Sequence, residues 1–294
     1  MRTSSQTTKN FTRKANINKS KATFQVAFGD VFFVFLGVLL IGVLWQVSAL
    51  RVQSGMSTGA GALILPEPMA VLSRFARMAW GDPVEAQVFW SAFMGSLGRG
   101  LLGFSVALLT ASVFGIAAGL WRPLQQLIYP AVQLLRSVPV MSIILYLLLF
   151  VATDWVAVWV SFLIVFPLIY TNTMAGVASV DQKLLEMATL YSINTWQRLR
   201  HIYFPALFPY WIAACLTGMG LNIKAVITAE AMSLPSNSFG AMMSEARNYL
   251  DTEGLLAITL WIIVLAVLLD AVLLVIKWLL MKGRRWYVVH RRSS

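Results

Sequence analysis

Charge is scarce in this chain. Only 12% of its 294 residues are Asp, Glu, Lys or Arg, and 59% are hydrophobic. A soluble domain carries about 25% charged and about 45–50% apolar residues, so an ordinary water-soluble fold is excluded at the outset. Cysteine is nearly absent. Cys215 stands alone inside an apolar run, which excludes an internal disulfide and a thiolate metal centre. The two histidines, His201 and His290, are isolated, and neither H-E-x-x-H nor G-x-S-x-G occurs. The nucleotide-binding run G-x-x-x-x-G-K-[ST] is also missing. No cofactor or metal site and no catalytic residue is therefore expected.

Acidic residues are outnumbered 12 to 23 by basic ones, for a net charge of +11. In a soluble chain that balance would point to nucleic acid, so the placement of the cations decides. Six apolar runs approach the roughly 20 residues needed to cross a bilayer. They lie at about 28–50, 92–120, 128–151, 155–175, 208–228 and 255–281, the third broken by RSVP at 136–139. With the N-terminus inside, seventeen cations fall in inside segments and four in outside ones, with Arg99 and Lys224 within spans. That asymmetry is the positive-inside pattern of a multi-pass membrane protein, and it accounts for the basicity without nucleic acid.

The expected organisation follows: a basic cytoplasmic tail over 1–27, a first span at 28–50, an external segment over 51–91, a core over 92–281 and a basic cytoplasmic tail over 282–294. Val47-Ser48-Ala49 after a basic start also resembles a leader cleavage site. The tail and apolar run are long for a leader, so the span is read as retained. Within 51–91, Met69, Leu72, Phe75 and Met78/Ala79 recur at helical spacing and predict an amphipathic helix on the outer surface. A short helix is expected within 229–254.

Between the fourth and fifth spans, residues 176–207 form the longest inside loop, and its polarity is out of keeping with its flanks. The pattern predicts two short helices. Ser179 with Gln182, and Asn194 with Gln197, have capping-box spacing, and Ser192-Ile193-Asn194 forms the turn. Pro205 is expected to stop the second helix, with Pro209 in the first turn of the next span. Leu184, Ala188 and Tyr191 share one face of the first helix; Trp196, Leu199 and Ile202/Tyr203 share one of the second. These apolar faces pack either on the chain's own span ends or on a partner.

The loop reads E-M-A-x-x-x-S and then I-Y-F-P at 202–205. This resembles the E-A-A-x-x-x-G … I-x-L-P signature of the permease subunits of bacterial ABC importers. LPEP at 65–68, SLGRGLLGF at 96–104, RSVP at 136–139, FPLIYTNTMAG at 166–176, TAEAM at 228–232 and EARNYLDTEGLLA at 245–257 are similar, in order and spacing, to the nitrate/sulfonate/taurine group of that family. The resemblance covers about 65–275. It implies an all-α, six-span MetI-like permease fold in the inner membrane, working as a pair of copies with two separate ATPase subunits and an external solute-binding protein. It assigns ATPase coupling to the hairpin, with Glu186, Ala188, Ile202 and Pro205 on matching motif positions and Ser192, Asn194 and Arg198 beside them. Ser192 stands where the family has glycine, so either the turn is αR-like or Asn194 takes the unusual conformation. The substrate implied is a small solute, with an anion such as nitrate, a sulfonate or taurine favoured.

Three ionisable residues, Arg99, Lys224 and Asp270, fall inside spans, where each charge must face a cavity or a partner. Asp270 is expected to pair with Lys224 or Arg99, or else to line the pathway; Arg99 could instead snorkel to the outer interface. Glu230, at the outer end of the fifth span, is read as a solvated or capping charge, or as a group that lines the pathway mouth or contacts a delivering protein. The rival function is an ion-gradient-driven secondary transporter, which would show repeated halves and leave the hairpin without a purpose.

Overall fold

The computed structural model describes residues 33, 36–55 and 64–290, with side chains to Leu279. Among the described residues there is no strand. The chain divides into two units, 1–71 and 72–294. In the first, α1 (Leu36–Gly55) is long and apolar enough to span a membrane. Val38, Ile41, Val43 and Leu44 all face outward, as a helix solvated by lipid requires. Trp45 Nε1 donates to the carbonyl of Pro66 at 3.1 Å. The expected 28–50 span overlaps α1 and the basic tail lies outside the described residues.

Helix α2 (Pro68–Trp80) follows. Phe75 is half-buried and Met78 and Ala79 are buried, but Met69 and Leu72 of the expected stripe are exposed. Phe75 stacks on Trp261 with ring centroids 4.2 Å apart, and Trp261 Nε1 donates to the Phe75 carbonyl at 3.1 Å.

The second unit holds α3 (Pro83–Leu120), α4 (Arg122–Ser137), α5 (Val140–Leu147), α6 (Thr153–Ala178), α7 (Gln182–Leu190), α8 (Thr195–Arg198), a π turn (Leu199–Tyr203), α9 (Phe204–Ser233), α10 (Phe239–Asn248) and α11 (Thr252–His290). Among the described residues five helices, α1 included, are long and apolar enough to cross a membrane, counting α8 to α9 as one, and α4 with α5 make a sixth if the bent pair is one span. That pair turns by 99° at the RSVP motif. There Val138 is extended, as a residue before proline prefers, and Pro139 caps α5.

The core rests on close approach of α3 to α6. Gly103, Ala107, Ala111 and Gly115 recur every fourth residue along α3 and are all buried. A Cβ at Gly103 would meet Ser161 and the Val158 carbonyl, and one at Gly115 would meet Thr173. Small side chains thus let two helix backbones come together where no hydrophobic force from water drives them. Much of the small-residue row in the second span is therefore used within the chain. Gly98 and Gly220, by contrast, face open space. Helix α9 packs on α6, α3 and α11, and α10 folds back over its end.

Candidate functional site

Two polar constructions stand at opposite ends of the long helices. The first is the hairpin. Its first helix is capped by Asp181, whose Oδ1 accepts from the Lys183 amide at 2.9 Å. The expected cap, Ser179, instead ends α6 and donates to the Gly176 carbonyl at 2.7 Å. The side chain of Asp181 lies two residues from the amide it caps, the usual N-cap reach. Asn194 does stand at the N-cap of α8, but its side chain makes no capping bond.

The turn is held by Arg198. Its Nε donates to the Ile193 carbonyl at 2.8 Å and its Nη2 to the Ala188 carbonyl at 3.1 Å, while the Ile193 amide donates to that same Ala188 carbonyl at 2.9 Å. Ala188 is buried beneath this staple, so a larger side chain would have no room. Ser192 itself takes the left-handed conformation, with φ 51°, and Asn194 does not, with φ −60°. Both expected ways of sparing Ser192 are thereby corrected: the turn keeps the glycine-type backbone although serine occupies it. An L-residue there costs about 1–2 kcal/mol.

Pro205 does not stop the second helix. Residues 195–233 run on continuously through the π turn, with Pro205 in the first turn of α9. The wider π turn supplies backbone bonding where proline lacks an N–H. Ile202 and Pro205 are half-buried along this join. The apolar faces of the hairpin stay uncovered: Leu184, Met187, Leu190 (83% exposed), Tyr191 (76%) and Trp196 face outward. Glu186 is exposed beside them.

The second construction joins α3, α6 and the α9–α10 loop at the far end. Glu230 is fully buried. Ser96 Oγ donates to its Oε2 at 2.6 Å, the Gly240 amide to the same oxygen at 3.3 Å, and Arg99 Nη1 to its Oε1 at 3.1 Å. Arg99 also donates to the carbonyls of Ser236 at 2.7 Å and Asn237 at 3.1 Å, and to Asp154 Oδ1 at 3.5 Å. The Phe239 amide donates to Ser96 Oγ at 2.9 Å. The loop so gripped carries left-handed Leu234 and Asn237. A Cβ at Gly240 would strike Glu230 and the Ala231 amide, so glycine is required for α10 to close on the carboxylate.

Glu230 is thus not solvated: its carboxylate accepts the first-turn Gly240 amide of α10 and pairs with Arg99, which turns to that carboxylate and the loop carbonyls rather than snorkelling. The expected pairing of Asp270 is also corrected. Arg99 is committed to Glu230, and Lys224 projects outward from α9 while Ile223 and Ile227 line the side toward α11. Asp270 Oδ1 is enclosed with no hydrogen-bond partner among the described residues. The residues that sequence reasoning missed are Ser96, Asp154 and the 236–240 backbone. A signal existed for Ser96: it lies three residues before Arg99, on the same helix face.

Comparisons with known proteins agree with this architecture. Residues 111–277 match the family model described as "Binding-protein-dependent transport system inner membrane component". The chain is 30% identical over 249 residues to the riboflavin transport system permease protein RibX of Chloroflexus aurantiacus, covering 82% of this chain and 88% of that one. It is 26% identical over 253 residues to the putative aliphatic sulfonates transport permease protein SsuC of Bacillus subtilis, covering 85% and 88%. Among solved structures, an inward-facing form of the MetNI methionine ABC transporter superposes with a TM-score of 0.50 at 16% identity, over 71% of this chain and 96% of that one, which supports the fold alone. Helices of membrane-spanning length, the broken third span and a family match over more than half its length together establish that this chain belongs to the binding-protein-dependent inner-membrane permeases, the transport subunits of ABC importers.

Proposed function

We propose that two copies of this permease form one substrate pathway, that the hairpin lies in the cytoplasm on a separate ATPase subunit, one per copy, and that an external solute-binding protein delivers substrate to the far end. The observation that carries this reading is the uncovered hairpin. An internally stapled turn that leaves Leu190, Tyr191 and Trp196 exposed is a surface shaped for a partner. The excess of cations on the hairpin side supports the orientation. Nucleotide binding and hydrolysis on the partner then bias two arrangements of the spans, and this chain performs no covalent step. Co-purification tests it. Glu186→Lys is expected to lower ATPase retention about tenfold by placing a like or unpaired charge in the interface, with unchanged thermal stability because the residue is exposed. Undiminished retention and uptake in that variant would overturn the reading. ATP-independent uptake by the isolated chain in liposomes would favour gradient-driven transport instead.

The substrate is a small anion in this reading. From Ala213 onward the exposed positions along α9 are Ala213, Thr217, Leu221, Lys224 and Thr228, one stripe ending in a cation and a hydroxyl residue. A lysine part-way along an apolar span is costly against lipid and suits a polar pathway shared with a second copy. The sulfonate permease relative points the same way. Lys224→Gln is expected to lower sulfonate uptake about tenfold while leaving ATPase retention intact. Equal uptake with riboflavin and none with sulfonate would move the assignment to the class named for the other relative.

A further inference from the structure

A cavity of about 450 Å³ lies between α3, α9 and α11. Leu108, Ser112 and Ile116 line it from α3, Phe208 and Cys215 from α9, and Lys277 from α11. Its position follows from the helix directions. The lining residues are in the second half of α3, the first half of α9 and, on α11, roughly 37 Å beyond Thr252 at 1.5 Å per residue. All three lie toward the hairpin end. Its rim residues Leu109, Val113 and Phe204 are exposed, so the wedge opens sideways, where a membrane-embedded chain meets lipid tails. Almost everything lining it is hydrocarbon, and among the described residues Lys277 is its only charged wall residue. Among the described residues Lys277 has no ion pair.

We propose that this wedge seats one anionic phospholipid, its acyl chain between α3 and α11 and its phosphate at Lys277. The combination selects the occupant. A hydrocarbon slot alone would accept any tail, and an exposed lysine alone any anion. A slot with a cation at its headgroup-side end requires both parts in one molecule, which a free phosphate does not supply. Basic pockets between spans bind acidic headgroups in this way. A helix from another copy would fill the slot but leave the ammonium unpaired. The lipid satisfies the cation and restores the van der Waals contacts that a void forfeits.

The test uses the full chain in nanodiscs of equal parts phosphatidylglycerol and phosphatidylcholine, with native mass spectrometry of lipids retained after detergent extraction. The wild-type chain is expected to hold phosphatidylglycerol in preference to phosphatidylcholine. Lys277→Gln should cut that preference about fivefold, the effect of one headgroup-side cation, while leaving the acyl slot able to take either lipid. Ser112→Trp, which fills the slot, should remove both lipids with Lys277 still present. Circular dichroism and the thermal midpoint report whether either variant has failed to fold. Should Ser112→Trp misfold, Ile116→Phe makes the same test with a smaller intrusion. Retained lipid that is unchanged in number and ratio in both variants would overturn the proposal. So would a slot-filling variant that weakens self-association without altering bound lipid, because the occupant would then be a second copy.

Discussion

Both ends of the bundle fix a loop by aiming an arginine at its carbonyls, yet the two loops are otherwise opposites. Arg99 grips Ser236 and Asn237; Arg198 grips Ala188 and Ile193. Each loop contains non-glycine residues forced to positive φ, Leu234 and Asn237 at one end and Ser192 at the other. At the far end the arginine also meets a carboxylate with no solvent access, and the loop it holds leads into buried Ser238 and Phe239. At the hairpin the arginine meets carbonyls alone, and the residues around it turn apolar surface outward. The first loop is part of the chain's own core. The second is an internally bonded turn whose neighbouring apolar side chains stay uncovered among the described residues.

The comparison breaks most readily at Arg99. Arg99→Leu leaves Glu230 buried without its cation and should cost about 3–5 kcal/mol, measured as thermal stability in detergent. Adding Glu230→Leu should recover much of that loss, and a double-mutant cycle with simple additivity would mean that the two ends differ less than their geometry indicates. Arg198→Ala should have a smaller and local effect, about 1–3 kcal/mol. Hydrogen exchange at the Ile193 amide should accelerate while the global midpoint holds, and ATPase retention should fall. A global loss of stability would place the hairpin inside the cooperative unit. Smallest is the effect of relieving strain. Leu234→Gly and Ser192→Gly each remove about 1 kcal/mol of left-handed cost. The first should raise the thermal midpoint and the second only slow exchange in the turn.

Most of the architecture was legible because bilayer physics leaves few alternatives. Long apolar runs gave the spans, and Pro139 marked the break between α4 and α5. Boundaries were less visible. α3 begins at Pro83 rather than near 92, because the Asp82 cap and Pro83 start the helix ahead of the apolar run. Within the hairpin, sequence found both helices and the turn but misread each of the small devices. The Asp181 cap lies two residues beyond the expected Ser179, and a proline taken as a stop was absorbed by a change of helix pitch. Ion pairing failed for a different reason. Lys224 and Asp270 sit on neighbouring helices, but rotation about the helix axis, which periodicity in an almost wholly apolar segment does not reveal, turns the lysine away. The grip of Arg99 on the 236–237 carbonyls could not be read from residue types at all, since backbone acceptors carry no sequence signature.

The π turn at Leu199–Tyr203 makes residues 195–233 a single rod of roughly 58 Å, with the hairpin on one tip and Glu230 near the other. A rod carries torque as well as tilt. An extra residue in one turn offsets everything beyond it by about a hundred degrees, so lengthening or shortening that single turn would re-aim the Lys224 stripe without bending the shaft. A twist applied at the hairpin end would then arrive at the far clasp as a sideways load on Glu230, a carboxylate wholly enclosed by protein.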